Sequence, residues 1–265
     1  IEIAETKYSV GKGKQQDVLL AQVELSKLLN EVFMLEQSAA AARGDLNILR
    51  DLKPQTTLGK APEIVSTQFN FSLEQLQEIA LGENPTLRSS KHDVESAKEA
   101  VKLAKLGYVP DFDFGFDYRM RQFVPGDPDM GSDLFSGSIT VNIPVWGATK
   151  QSKNIAEMRA RQQSSEARYH ATENKTTNDV YGLYTMLERE ENRISLYKDA
   201  LLPQARQSLE SAMVAYRVDK IDFLTLLTNQ VTLRNYEVDY YRILSDYEKT
   251  IAQLEYTIGA PLPKI

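Results

Sequence analysis

The chain reads as a mainly α protein, built of long antiparallel coiled-coil helices interrupted by one long β-hairpin. Three observations lead there. Leu226, Leu233, Tyr240, Tyr247 and Leu254 recur at strict intervals of seven, flanked by Tyr236 and Ile243. A sustained repeat of seven marks a seam packed knobs-into-holes against another helix. Residues 111–121 and 136–145 alternate apolar and polar side chains, the period-two signature of two strands. Between Gly147 and about Ala215 only Gly182 and Pro203 interrupt the helix-forming residues. That leaves a helix of roughly 69 residues, ~100 Å long at 1.5 Å per residue, which no globular core requires.

Composition sets the outer bounds. The 265 residues are 42% apolar and 26% charged, enough to bury a core. A formal charge of −6 without a long Lys/Arg run argues against a nucleic-acid partner. No run of ~18 apolar residues predicts a transmembrane helix, a test that strands of a β-barrel evade because they alternate. With no cysteine there is no disulfide frame, thiolate metal site or thiol nucleophile. The chain opens on Ile1 without a signal-peptide pattern and is read as a fragment whose targeting segment lies upstream.

The first element, residues 1–53, is a helical hairpin, and an internal repeat carries that reading. Tyr8-Ser-Val-Gly-Lys-Gly-Lys14 and the helix that follows resemble Tyr216-Arg-Val-Asp-Lys-Ile-Asp222 and its helix at an offset of 208 residues. Transferred by that offset, the heptad seam falls on Val18, Leu25, Val32, Ala39 and Leu46, flanked by Leu28 and Leu35. A second row, Leu224, Val231 and Val238, predicts neighbours on both flanks, as in a multi-helix wall; an amphipathic helix in a simple bundle is the alternative. Residues 54–83 are a linker with loop punctuation and a short helix opened by a capping box of Ser72 and Gln75. Asn84-Pro85 starts the next helix, within 84–109, with proline where its missing N–H costs nothing. Stacked end to end, the helices at roughly 84–107 and 222–258 total ~90 Å, close to the length of the long one.

The hairpin occupies 110–146. Phe112, Phe114, Phe116, Tyr118 and Met120 alternate with Asp111, Asp113, Gly115, Asp117, Arg119 and Arg121. After the turn-rich residues 125–133, Ile139, Val141, Ile143 and Val145 alternate with Ser136, Ser138, Thr140 and Asn142. Strands of about 11–13 residues would cross an outer membrane while tilted, with a polar face suited to a watery lumen. A soluble hairpin packed on a helix is the alternative. Residues 147–259 form the second long helical hairpin, kinked at Pro203, and 260–265 a short tail.

These segments together resemble the TolC-type outer-membrane factor family. The resemblance lies in Tyr8-Ser-Val-Gly11 and Asp17-Val-Leu19, Tyr108-Val-Pro-Asp-Phe112, Ile143-Pro-Val-Trp-Gly147 and Leu254-Glu-Tyr-Thr-Ile-Gly259, in order and spacing more than in any one motif. It implies a homotrimer whose hairpins share one β-barrel in the outer membrane and whose helices continue as a periplasmic tube. It further implies a periplasmic adaptor, an inner-membrane pump and no cofactor. This chain would hold the end of repeat one and all of repeat two. The resemblance places the periplasmic gate at Tyr216, Asp219, Lys220 and Asp222, and adaptor docking at Tyr8, Gly11, Lys12 and Gly13. Asp219 stands where the family has a turn glycine, a position aspartate can fill at some cost. Thr225 and Thr228 stand where the best-known member rings its entrance with aspartates, so no such ring is expected. Tyr108 and Trp146 fall at the membrane interface, and Phe112, Phe114, Phe116, Tyr118, Ile139, Val141 and Ile143 face lipid.

Enzyme chemistry finds little support. His92 and His170 lack metal-ligand spacing partners and are expected to be solvated helix residues. Glu188, Glu190 and Glu191 are expected on an exposed or lumen-facing side of their helix, and the methionines are scattered. The expected function is a passive, gated export duct; a periplasmic coiled-coil adaptor or a scaffold protein is the alternative. The adaptor would lack long alternating strands, and the scaffold would not need their apolar faces.

Overall fold

A computed structural model describes residues 1–59, 61–121, 125–126, 133–143 and 145–263. Among the described residues seven α-helices and two strands follow in the order α1 (Glu2–Ser9), α2 (Gln15–Leu49), α3 (Leu73–Glu83), α4 (Pro85–Leu106), β1 (Asp111–Arg119), β2 (Leu134–Asn142), α5 (Ser152–Leu196), α6 (Leu202–Arg217) and α7 (Phe223–Ile258). The chain divides into two compact units. One comprises Ile1–Asn70, Leu183–Gln253 and Pro263–Ile265, the other Phe71–Gly182 and Leu254–Leu262.

In the second unit the sequence signals for helix starts act as expected. Ser72 accepts the Gln75 N–H while Gln75 Oε1 accepts the Ser72 N–H, closing the capping box of α3. Asn84 caps α4 by accepting the Leu87 N–H at 2.8 Å, with Pro85 in the first turn. The Asn84 amide also donates to the Thr257 carbonyl at 2.6 Å, which brings the end of α7 to the start of α4. Gly259 closes α7 at φ +78°. A row the sequence analysis did not single out, Ala80, Leu87, Val94 and Val101, is buried at intervals of seven through α3 and α4. Leu254 and Ile258 are buried with it in this unit.

β1 and β2 pair antiparallel over nine residues, from Asp111 opposite Asn142 to Arg119 opposite Leu134. The strands are therefore shorter than the 11–13 residues read from the alternation. At one end the Arg121 N–H and the Tyr118 hydroxyl both donate to the Asp133 carboxylate, so a side chain takes over where ladder bonds would continue. At the other end Ile143 lies beyond β2, ahead of Pro144. Most of the predicted turn, residues 127–132, and Pro144 itself lie outside the described residues.

The helix predicted from Gly147 runs through α5 and α6 to Arg217, with π-helical turns at Gly147–Gln151 and Tyr197–Leu201. Pro203 does not break it. The turn ahead of the proline widens, and the Leu202 N–H bonds Tyr197 O, five residues back. Widening accommodates a residue that has no N–H to give and would crowd the carbonyl four positions earlier.

The α7 seam is present: Leu226, Leu233, Tyr247 and Leu254 are buried and Tyr240 half-buried. Of the second predicted row, Val231 is half-buried and Leu224 and Val238 are exposed within this single chain, and a further buried row is Leu244, Ile251 and Ile258. The seam transferred to α2 also stays open: Leu25, Val32, Leu35, Ala39 and Leu46 are exposed, and Ala21 and Asn47 are the buried residues.

Glu190 corrects the sequence reading too. It is buried, on a row of sevens with Thr176 and Leu183, and both its oxygens accept from arginines, Arg189 at 2.6 Å and Arg193 at 2.8 Å. Paired in this way, a carboxylate can occupy a core-facing position. Glu188 and Glu191 are exposed.

In the first unit the linker is fastened along α7. Glu248 accepts the Thr67 N–H at 2.7 Å and its hydroxyl at 3.0 Å, and the buried Tyr247 hydroxyl donates to Thr67 O at 2.9 Å. Burial, with Glu191 and Glu248 nearby, pushes the Tyr247 phenol up to about 12. A raised phenol favours the folded state while neutral. That contribution is complete below the ordinary tyrosine value of about 10 and is lost as pH rises towards about 12. Thermal stability is expected to fall across that window, and Tyr247→Phe to remove this part of the fall; an identical pH profile for the variant would refute the assignment.

Candidate functional site

Two features carry the functional residues read from the sequence: the paired turns of the first unit and the hairpin of the second.

The two turns share one backbone. In the first, Gly11 N–H bonds Tyr8 O at 3.0 Å and Lys12 N–H bonds Lys7 O at 2.8 Å. In the second, Asp219 N–H bonds Tyr216 O at 3.2 Å and Lys220 N–H bonds Ala215 O at 2.9 Å. Every partner is displaced by the 208 residues found in the sequence. Gly11 has φ +73° and Asp219 φ +61°, so the aspartate adopts the left-handed conformation that glycine takes in the first turn. Gly13 is glycine for a different reason. A Cβ there would stand 2.9 Å from both Lys7 Cβ and Tyr8 N.

Residues from all four helices meet beneath the turns. Ala4, Ala21, Ala212, Tyr216, Phe223 and Leu226 form a buried cluster, with Val18 and Ile221 packed against it. Tyr216 is only 4% exposed, its ring 5.7 Å from that of Phe223. Its hydroxyl is buried with no hydrogen-bond partner among the described residues. Burial and the carboxylates of Asp17 and Asp219 raise its phenol above the ordinary value. Asp222 caps α7 by accepting the Thr225 N–H at 2.8 Å. The hydrogen bonds from Thr225, helped by the charge of Lys14, hold its carboxyl below the usual range.

The turns thus bring together the predicted gate residues Tyr216, Asp219 and Asp222. Tyr8, Gly11, Lys12 and Lys220 are exposed and Gly13 half-buried. Sequence reasoning missed Lys7, whose ammonium lies 4.3 Å from the centre of the Tyr216 ring and donates to Tyr216 O and to Asp219 Oδ1. The signal was available. At the same offset Lys7 matches Ala215, a charged residue opposite a small one beside the repeated tyrosine.

On the hairpin the register puts like with like. Phe112 faces Val141, Phe114 faces Ile139, and Tyr118 faces Phe135, while Asp113 faces Thr140 and Asp117 faces Ser136. Phe116 pairs with Gly137 and stacks on Phe135 with centroids 6.4 Å apart. Phe112, Phe114, Phe116, Tyr118, Phe135, Ile139 and Val141 are all exposed, as is Ile143 beyond the ladder. Below the hairpin, Tyr108 and Trp146 are exposed. A Cβ on Gly147 would lie 3.1 Å from the Tyr108 ring, so this glycine leaves room for the aromatic.

His92 and His170 are exposed on their helices, each beside a glutamate three residues on. Among the described residues no group of three or more His, Cys, Asp or Glu could hold a metal ion. No described helix is long and apolar enough to cross a membrane.

Helical hairpins closed by repeated turns, joined to a hairpin with an uncovered apolar face, define an architecture of the outer-membrane channel class. Residues 76–260 match the family described as outer membrane efflux protein, and the chain belongs to that family. Its fold is that of solved channels. The outer membrane protein VceC of Vibrio cholerae aligns with a TM-score of 0.81 at 18% identity, covering 99% of this chain and 62% of VceC. The outer-membrane channel OprN aligns at 0.82 and 16%, covering 98% and 58%. The open state of the Neisseria gonorrhoeae MtrE channel aligns at 0.70 and 16%, covering 98% and 61%. The chain therefore spans about three fifths of the length of these channels. No curated protein matches it in sequence.

Proposed function

We propose that the full-length protein is a passive, gated export duct of the outer membrane. The observation that carries this reading is the hairpin. Its large apolar side chains, Leu134 apart, share one face, all are exposed, and its nine-residue strands are long enough to cross a membrane when tilted. A two-stranded hairpin with such a face is unstable in water alone, whereas lipid rewards it. The same face counts against a soluble adaptor or scaffold.

In this reading three copies share one barrel. Phe112, Phe114, Phe116, Tyr118, Ile139, Val141 and Ile143 face lipid, Tyr108 and Trp146 sit at the interface, and the aspartates of β1 face a lumen. The helices continue through the periplasm to the two turns. Tyr216, Asp219, Lys220 and Asp222 belong to the gate, and Tyr8, Gly11, Lys12 and Gly13 to the surface that meets a periplasmic adaptor. Docking opens the gate through its greater affinity for the open state, and an inner-membrane pump supplies the energy. No nucleic acid and no cofactor takes part.

The test is single-channel conductance of the full-length protein in planar bilayers, after sizing in detergent. A trimer with a small, flickering, mostly closed conductance is expected. A detergent-independent monomer without conductance would overturn the proposal.

A further inference from the structure

The helix that leads to the second turn changes register once. Ahead of the π-helical turn at Tyr197–Leu201, its buried residues lie on two rows spaced by seven, Leu183 with Glu190 and Leu187 with Ile194. The next step of seven reaches Tyr197 and Leu201, both half-buried. Continued unchanged, the rows would run through Gln204 and Ser211, and through Ser208 and Ala215. Gln204, Ser208 and Ser211 are exposed instead. The buried residues are Ala205, Ala212 and Tyr216, with Leu209 half-buried. Each row thus takes a single step of eight, from Tyr197 to Ala205 and from Leu201 to Leu209, and then returns to seven.

The π turn supplies the extra residue. It closes when the Leu202 N–H bonds Tyr197 O, five residues back, and so holds one residue more than an α turn. Pro203 requires some such departure, because in a regular α-helix it would leave Asp199 O without a donor and crowd it. The facing helix α7 makes no matching correction. It is continuous, and its seam keeps to sevens through Leu226, Leu233 and Tyr240. The π turn also lies against this helix, the Tyr197 ring 5.9 Å from that of Tyr236. The side chains of α6 are therefore set by one residue's worth of extra helix, and Tyr216 is at the far end of it.

We propose that this π turn is a register element that sets the gate, an inference that rests on the duct reading above and adds to it a motion for opening. With the extra residue held at Tyr197–Leu201, Tyr216 lies in the cluster beneath the turns. When that residue passes along α6 into residues 218–222, α6 turns by about 100° and advances by about 1.5 Å. Ala215 then takes the place of Tyr216, and the tyrosine ring leaves the cluster. The shifted register brings Gln204, Ser208 and Ser211 inward in place of Ala205, Leu209 and Ala212, so it is the minor state, and the duct is mostly closed.

Two variants of the full-length trimer separate the register from the proline. Pro203→Ala removes the residue that a regular α turn cannot hold, so the shifted register becomes more accessible. Its opening frequency in planar bilayers is expected to rise about tenfold, a part of the proline penalty. Pro203→Ala with the exposed Lys198 deleted takes the extra residue out of the chain, so that the closed rows run by seven throughout. That variant is expected to melt no lower than the wild type and to open less often. The register itself is read in detergent with Gln204→Cys and Ala205→Cys, each in the wild-type and Pro203→Ala backgrounds, from the rate of modification by a thiol reagent. In the wild-type background the thiol at 204 is expected to react much faster than that at 205, and Pro203→Ala to speed reaction at 205. Should the deletion variant fail to assemble, Pro203→Ala decides the matter through conductance and thiol reactivity together. A conducting wild type with opening and thiol reactivity unmoved by Pro203→Ala overturns the register element and leaves the duct standing. A wild type that forms no pore overturns the duct and the gating role with it.

Discussion

Tyr216→Ala is expected to cost about 3–5 kcal/mol of stability, the range for truncating a buried aromatic, and to raise the leak conductance of the full-length trimer. The ring is 4% exposed, lies against Phe223 and contributes to a cluster drawn from α1, α2, α6 and α7. Removing it leaves a cavity where the two turns meet and takes away the surface over which Lys7 lies. Tyr216→Phe separates ring from hydroxyl. That hydroxyl is buried without a partner among the described residues, and a buried unsatisfied group costs about 1–3 kcal/mol. The phenylalanine variant is therefore expected to be at least as stable as the wild type and to stay closed. Chemical denaturation and bilayer conductance check both variants. A leaky phenylalanine variant would assign the gate to the hydroxyl and contradict the packing account.

Gly259→Ala is the second large effect. Gly259 ends α7 at φ +78°, where a side chain costs roughly 1–2 kcal/mol. A Cβ there would also stand 2.6 Å from Glu83 O and 2.7 Å from Pro85 Cδ, the bend between α3 and α4. Neither neighbour is the free end of a flexible side chain, so the helix end must move away. That movement would stretch the 2.6 Å bond from Asn84 to Thr257 O and loosen Ile258, which is fully buried. Together the terms give about 2–5 kcal/mol, read as a lower denaturation midpoint and faster proteolysis. A variant as stable as the wild type would mean that the bend and the helix end separate at little cost. The conductance of correctly assembled trimers is expected to change less than with Tyr216→Ala, since no turn residue is touched.

Much of this architecture was legible in the sequence because its signals are local. The capping box at Ser72, the cap and proline at Asn84 and Pro85, and the alternation from Phe112 to Tyr118 act through the nearest few residues, and each formed as read. The repeat at 208 residues was also sound, down to matched turn hydrogen bonds and a left-handed Asp219. The readings stopped short where the outcome depended on a neighbour the pattern does not name. The row Leu25, Val32 and Leu46 has the spacing of a seam and is exposed within this single chain, because spacing marks a seam without supplying the helix that covers it. Glu190 looked solvated by residue type yet is buried, because its place on the row of Thr176 and Leu183 outweighs its charge once two arginines neutralise it.

By itself, the sequence determined that the chain is long helices with one alternating hairpin, that its two turns repeat, and that no enzyme motif is written in it. Helix periodicity, strand alternation and turn chemistry are short-range properties carried by the residues themselves. Only the tertiary structure decided which heptad rows are covered, that the strands stop at nine pairs, and that Pro203 is absorbed by a π-helical turn. It alone placed Lys7 over Tyr216 and beside Asp219, more than 200 positions apart in the chain. Such contacts depend on how two helical hairpins dock, and docking is settled by the shapes and charges of both partners at once.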